Sequence, residues 1–305
     1  MFKFIIRRVL WTIPVILLVI FITFWLMKLI PGGPFTGSKS IPPDILANMQ
    51  AKYGLDKPWY IQYLMYVWNM LHGDLGVSMT EKGRTVTEIV ADAFPVSIQL
   101  GSMAFLLAVL IGLPAGMIAA LRHNTVYDYA AIFYSTAGWA VPIFITGPIL
   151  IYIFSVKLHW FPSSQWYGPA YWVLPAITLG SHLAAYFARL TRGSMLETLQ
   201  QDFVRTAQAK GLARRTVVLK HVLRNSLIPV VTEAGPLLGF VITGSFLTEY
   251  VFSIPGLGRW YVTSVSNRDY SVVLGLAVLL SVIIIVANLV VDIVYGILDP
   301  RIRYE

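Results

Sequence analysis

The chain has 305 residues, of which 57% are hydrophobic and only 12% charged, with a formal net charge of +8 and a mean hydropathy of +0.69. A soluble domain carries about a quarter charged residues, so most of this chain faces lipid or protein, and its basic excess is first a question of which side of a bilayer it occupies, not of nucleic acid. No cysteine is present, which excludes a disulfide framework and a thiolate metal site.

Lys3, Arg7 and Arg8 precede an apolar run, as in a secretory signal. The run is too long, and Pro31-Gly32-Gly33-Pro34 offers no small-residue cleavage pattern. A retained first span over 9–30 is therefore predicted, with Lys28 snorkelling to the headgroups. A long segment follows, 31–96. In it Pro42-Pro43-Asp44 starts a helix that Gly54 closes, and Asp56 with Pro58 starts another ending near Gly73. Trp59, Tyr60, Tyr63, Tyr66, Val67 and Trp68 suit a helix at the membrane interface, either packed on the bundle or serving as a cap at an outer gate.

Further spans are predicted over 97–121, 129–156, 171–188, 227–248 and 271–297, several of them long enough to cross roughly 30 Å of hydrocarbon. The third is interrupted by Gly138, Pro142, Gly147 and Pro148, which implies kinks resatisfied by neighbouring helices. Gly112 with Gly116, and Gly235 with Gly239, are spaced for close helix approach. The expectation is an all-α membrane protein with six transmembrane helices and a helical outer loop. An even number of spans puts both termini on one side. With that side cytoplasmic, it holds Lys3, Arg7, Arg8, Arg122, Arg189, Arg192, Arg205, Lys210, Arg214, Arg215, Lys220, Arg224, Arg301 and Arg303. The other side holds Lys39, Lys52, Lys57, Lys82, Arg84, Lys157, Arg259 and Arg268, mostly in a long loop that weighs little. The bias predicts an N-in, C-in topology.

The segment 189–226 between two spans is the most informative. Asp202 is placed to cap a short helix over 203–210, with Gly211 as its left-handed stop; a second helix over 214–225 leads to Pro229. Arg205, Thr206, Ala207, Ala209, Lys210 and Gly211 combine small and basic residues on that first helix. Small side chains let a helix sit deep in a partner's groove, with charges at its rim. A basic loop resting on anionic lipid is the plainer reading.

This segment resembles the EAA loop of ABC importer permeases in the form typical of the peptide and oligopeptide branch, R-T-A-x-A-K-G-L followed by H-x-L-R-N-x-L-x-P. The matching residues are Arg205 to Leu212, then His221, Leu223, Arg224, Asn225, Leu227 and Pro229. Arg205 and Thr206 stand where the general importer pattern has Glu and Ala, as the peptide branch does. Residues 1–9, Pro31 to Pro34, Tyr53-Gly54-Leu55, His72 to Gly76, Phe252 to Gly258, Asn267 to Tyr270 and the stretch from Asp292 to Arg303 resemble the same branch in order. The likeness is greatest to the B-type subunits of oligopeptide systems.

The resemblance implies a type I ABC importer permease fold and a place in a bacterial inner membrane. It divides the chain into a cytoplasmic start and first span (1–30), an extracytoplasmic loop (31–96), a permease core (94–293) containing the coupling loop (189–226), and a cytoplasmic tail (298–305). It also implies a second, homologous permease, two cytoplasmic ATPase subunits carrying ATP and Mg, an extracytoplasmic peptide-binding protein, and oligopeptide as substrate, moved by alternating access. This chain would hold no cofactor and no catalytic residue, in keeping with the lack of a G-x-x-x-x-G-K-[ST] phosphate cradle.

Phe252, Pro255, Gly256 and Gly258 belong to a turn between the last two spans, either a plain outer turn or part of a pore mouth or outer gate. Glu233 and Asp292 are ionisable residues within spans, hence functional candidates. Pairing with a basic residue or exposure to an inner vestibule competes with a proton relay, to which His182 would belong. A proton-coupled carrier is thus the rival class, and dipeptides, haem, nickel complexes and antimicrobial peptides are rival substrates within the importer family. The histidines show no metal-ligand spacing, so no metal is assigned.

Overall fold

The computed structural model describes residues 2–35 and 43–298, with side chains over 10–35 and 44–290. The side chains of Lys3, Arg7, Arg8, Lys39, Pro42, Asp292, Arg301 and Arg303 lie outside the described residues, as does the tail from 299 onward. Among the described residues every regular element is helical, and the one extended pairing is the isolated antiparallel bridge Val77 to Thr85.

The chain opens with α1 (Phe2–Leu29) and continues outside the spans as α2 (Pro43–Lys52) and α3 (Trp59–Leu71). Gly54 and Gly73 follow these two helices with φ of +65° and +82°, the left-handed region that glycine enters without a Cβ penalty. The aromatic helix α3 packs on α1: the Tyr63 hydroxyl donates to the Leu17 carbonyl at 3.1 Å, and its ring meets Phe21 edge-on. Ile20, Phe24 and Leu274 close the core beneath it. Burial pushes the Tyr66 phenol up, and its hydroxyl has no hydrogen-bond partner among the described residues.

Helix α4 (Val86–Leu121) starts well before the predicted span, because Thr85 and Glu88 form a reciprocal capping box at its outer end. Next come α5 (Val126–Ala140) and α6 (Ile143–Leu150), the latter extended by a π-helical stretch, Ile151–Lys157. These two are bent by 102°. The predicted kink is in fact a corner: Pro142 lacks an amide and holds Val141 in an extended conformation, so the helix cannot continue.

Helix α7 (Pro169–Leu199) leads to α8 (Asp202–Ala209) and then to α9 (Arg214–Thr216), a π-helical stretch Val217–Val222, and α10 (Leu223–Ile242). The last three run on without a break. The predicted separate helix over 214–225 is therefore the first part of the next span, and Pro229 sits inside it rather than starting it. Asp202 is the first helical residue, not the cap; Gln201 occupies the cap position without a side-chain bond. The chain ends with α11 (Phe246–Val251), α12 (Leu257–Ser266) and α13 (Tyr270–Leu298).

Four of these stretches are long and apolar enough to cross a membrane, Leu10–Leu29, Val86–Leu121, Arg214–Val251 and Tyr270–Val290, and the bent α5–α6 pair gives a fifth. Helix α7 falls short on apolarity for a physical reason. It is the centre of the bundle, packed along α4, so Thr178, Gly180, Ala184, Ala185 and Ala188 face protein, not lipid. The approach is close enough that a Cβ on Gly112 would lie 2.7 Å from the Ala184 carbonyl, and one on Gly116 2.5 Å from that of Ala188. Gly239 plays the same part between α10 and α13, where a Cβ would fall 2.6 Å from Ala287. Small residues here serve packing.

Buried Asp269, just before α13, holds the outer loop to the bundle. Its Oδ2 accepts from the Ser78 hydroxyl at 2.5 Å, the Thr80 hydroxyl at 2.9 Å and the amides of Met79 and Thr80, while Oδ1 caps α13 through Val272. Asp269→Ala strips these amides and hydroxyls of their acceptor. The expected loss is about 2–4 kcal/mol of local stability, read as faster proteolysis within 77–85 in oriented vesicles. Cleavage at the wild-type rate would contradict the staple.

Candidate functional site

At one end of the bundle the chain turns through α8. Val204 and Ala207 are buried with Ala120 of α4, Met195 of α7, and Val217 and Val222 of the π-helical stretch. The short helix is thereby fixed to the ends of three long ones. Its outer face carries Phe203, Arg205, Thr206, Ala209 and Lys210, with Gly211 and Leu212 following, all exposed. Ala207, expected among the partner-facing small residues, points inward, and Ala209 is the small residue left outside. Arg205 lies 3.8 Å from Asp202, an exposed pair that contributes little. Gly211 has φ of +75°, the left-handed stop expected of it.

Two links stiffen the same end. The Ser194 hydroxyl of α7 donates to the Ser226 carbonyl of α10 at 2.8 Å. Arg192 of α7 binds Asp128 of α5 through both carboxylate oxygens, Nε to Oδ1 at 2.5 Å and Nη2 to Oδ2 at 2.9 Å. Asp128 is buried and also accepts the Asn124 amide. Helix α8 is a partly apolar, basic knob anchored to the ends of three long helices.

At the opposite end, the turn between α11 and α12 is built around Glu249, which is fully buried. Its Oε1 accepts from the Ser97 hydroxyl at 2.8 Å, and its Oε2 from the Arg259 amide at 3.1 Å. The same Ser97 oxygen accepts the Leu257 amide at 2.9 Å. Glu249 thus supplies the N-terminal cap that α12 lacks from its own sequence. Gly256 and Gly258 are buried against this carboxyl group: a Cβ on Gly256 would overlap its Oε2. Phe252 is buried in the central core, and Pro255 is exposed.

Glu233 of α10 accepts the Tyr186 hydroxyl at 3.1 Å, and His182 stacks on Trp139. Glu249, Asp269 and the Asp128–Arg192 pair are not singled out by sequence reasoning. Glu249 falls one residue beyond the predicted span 227–248, and only its isolation as a carboxylate in an apolar stretch marks it. Asp128 and Arg192 lie 64 positions apart, so no spacing rule joins them.

Residues 112–304 match the family described as binding-protein-dependent transport system inner membrane component, and residues 1–101 match its N-terminal companion. The chain is 44% identical over 306 residues to the oligopeptide transport system permease protein OppB of Salmonella typhimurium, covering all of both chains. It is 42% identical over 303 residues to the dipeptide transport system permease protein DppB of Bacillus subtilis, covering 99% of this chain and 98% of that one. Among solved structures it resembles an inward-facing conformation of the MetNI methionine ABC transporter, with a TM-score of 0.58 at 16% identity, over 69% of this chain and 96% of the other. The last likeness speaks for the fold alone.

Proposed function

The chain belongs to the family of binding-protein-dependent transport system inner membrane components, and from that premise we propose how this permease subunit of an ABC peptide importer works. It is a multi-pass protein of the bacterial inner membrane. The substrate is oligopeptide, delivered from outside by a binding protein and passed between this chain and a second, homologous permease. Two ATPase subunits in the cytoplasm bind ATP and Mg and drive the pair between outward-open and inward-open states.

Six spans serve this function: α1, α4, the α5–α6 pair, α7, α10 and α13. Both termini are cytoplasmic. Supporting that orientation, Arg122, Arg192, Arg205, Lys210, Arg214, Arg215 and Lys220 gather at the α8 end of the bundle, as the positive-inside bias requires of a cytoplasmic face.

The observation that carries the proposal is α8 itself, exposed on one face and locked on the other to the ends of α4, α7 and α10. A push on it moves three spans together. Gly211→Val tests it. An added Cβ meets no atom within 4 Å there, so the substitution acts through backbone conformation and not through a clash. A left-handed β-branched residue costs at least about 1–2 kcal/mol, enough to misplace the end of the knob. Peptide-stimulated ATP hydrolysis by the reconstituted complex should fall about tenfold while insertion of the chain is unchanged. Wild-type stimulation in this variant would overturn the coupling role.

A further inference from the structure

His182, Tyr186 and Arg189 stand at i, i+4 and i+7 on α7, a single stripe on a helix of 3.6 residues per turn. Trp139 of α5 lies across it. The indole stacks on His182 with centroids 4.8 Å apart, sits 5.2 Å from the Tyr186 ring and lies 5.4 Å beneath the Arg189 guanidinium. Glu233 of α10 closes the far side through its bond to the Tyr186 hydroxyl.

At 1.5 Å per residue, Arg189 lies about 15 Å before the end of α7, one turn further in than Arg192, and Glu233 lies about 28 Å along the continuous helix that begins at Arg214. Yet Trp139 is 43% exposed and Arg189 is exposed too. Among the described residues Arg189 forms no ion pair with a carboxylate and Glu233 none with a cation. Ionisable side chains carried on membrane helices belong against a water-filled path or another polar surface, not against lipid. The stripe therefore faces water or a polar surface, and among the described residues its two ionisable ends are not paired with an opposite charge.

We propose that the stripe is a subsite for the two ends of a peptide in transit, an inference that rests on the peptide-importer reading. The Glu233 carboxylate, held in place by Tyr186, takes the α-ammonium. The Arg189 guanidinium, with its planar fork, takes the α-carboxylate. Trp139 packs against the chain between them and reads no particular side chain, which suits a cargo of varied sequence. Exposure of Trp139 and Arg189, with Glu233 half-buried, keeps the contact weak enough for release.

The test uses the complete transporter in liposomes with ATP inside, supplied with binding protein loaded with labelled trialanine, N-acetyl-trialanine or trialanine amide. Glu233→Gln should lower uptake of trialanine about tenfold, the worth of a charged hydrogen bond, and leave the N-acetyl form, which offers no ammonium, at the wild-type rate. Arg189→Gln should do the converse, sparing only the amide. Equal loss for all three peptides, or no loss, overturns the subsite while leaving the importer reading intact. Release of the partner permease during purification of either variant also overturns it, because the stripe would then be an interface between permeases. Absence of ATP-driven uptake by the wild-type complex removes the importer reading and the subsite with it.

Discussion

Replacing Glu249 by alanine is expected to destabilise the permease by about 4 kcal/mol, read as a large drop in the melting temperature of the purified complex and little protein in the membrane. The carboxyl group is fully buried and receives the Ser97 hydroxyl and the Arg259 amide. Removing it leaves the Ser97 hydroxyl and the Arg259 amide without this acceptor and opens a void at the start of α12. Each orphaned donor costs about 1–3 kcal/mol.

The same site is reached from the other side by Gly256→Ala, whose Cβ would overlap Oε2 of Glu249 and stand 2.6 Å from Oγ of Ser97. The atoms in the way belong to side chains, but Glu249 is buried and held by the Ser97 hydroxyl and the Arg259 amide, so it yields only by giving up those bonds; this small change should approach Glu249→Ala in effect, whereas Glu249→Gln, which keeps acceptor and volume, should be milder. A Glu249→Ala complex that melts and transports like the wild type would contradict the assignment.

The turn shows where sequence reasoning stops. Composition and run length delivered the membrane class, and proline and glycine placed α2, α3 and the end of α8 closely, because these signals are local: a missing amide, a left-handed φ. The glycines of the turn were legible as a motif, but their reason was not. Gly256 and Gly258 are small to admit a carboxylate from another helix, and that carboxylate is in turn held by Ser97, 152 positions away. The central helix α7 was read too short for a related reason. Its polar and small residues look unlike a membrane span until α4 is known to cover them. Likewise Ala207 looked available to a partner until Met195 and Val217 were seen to bury it.

Asp128→Ala should produce the second large effect, and here the loss falls on coupling as well as stability. Asp128 is buried, its partner Arg192 partly so, and removing one member leaves the other charged without compensation, a cost of about 3–5 kcal/mol in a fully buried pair and somewhat less here, where Arg192 keeps some solvent. The double variant Asp128→Leu with Arg192→Met removes both charges and keeps the volume, so much of the stability should return, as replacing a buried pair by apolar residues allows. Coupling should not return with it. The bidentate link ties α5 to α7 three residues before Met195, the contact on which α8 rests, and a greasy patch has no fixed geometry through which to pass a push. The expected result is a double variant with near-wild-type melting, normal basal ATP hydrolysis and reduced peptide uptake per ATP. Full uptake per ATP in the double variant would reduce the pair to a structural clamp, and failure of the double variant to recover stability would show that Asp128 acts through the Asn124 turn more than through Arg192.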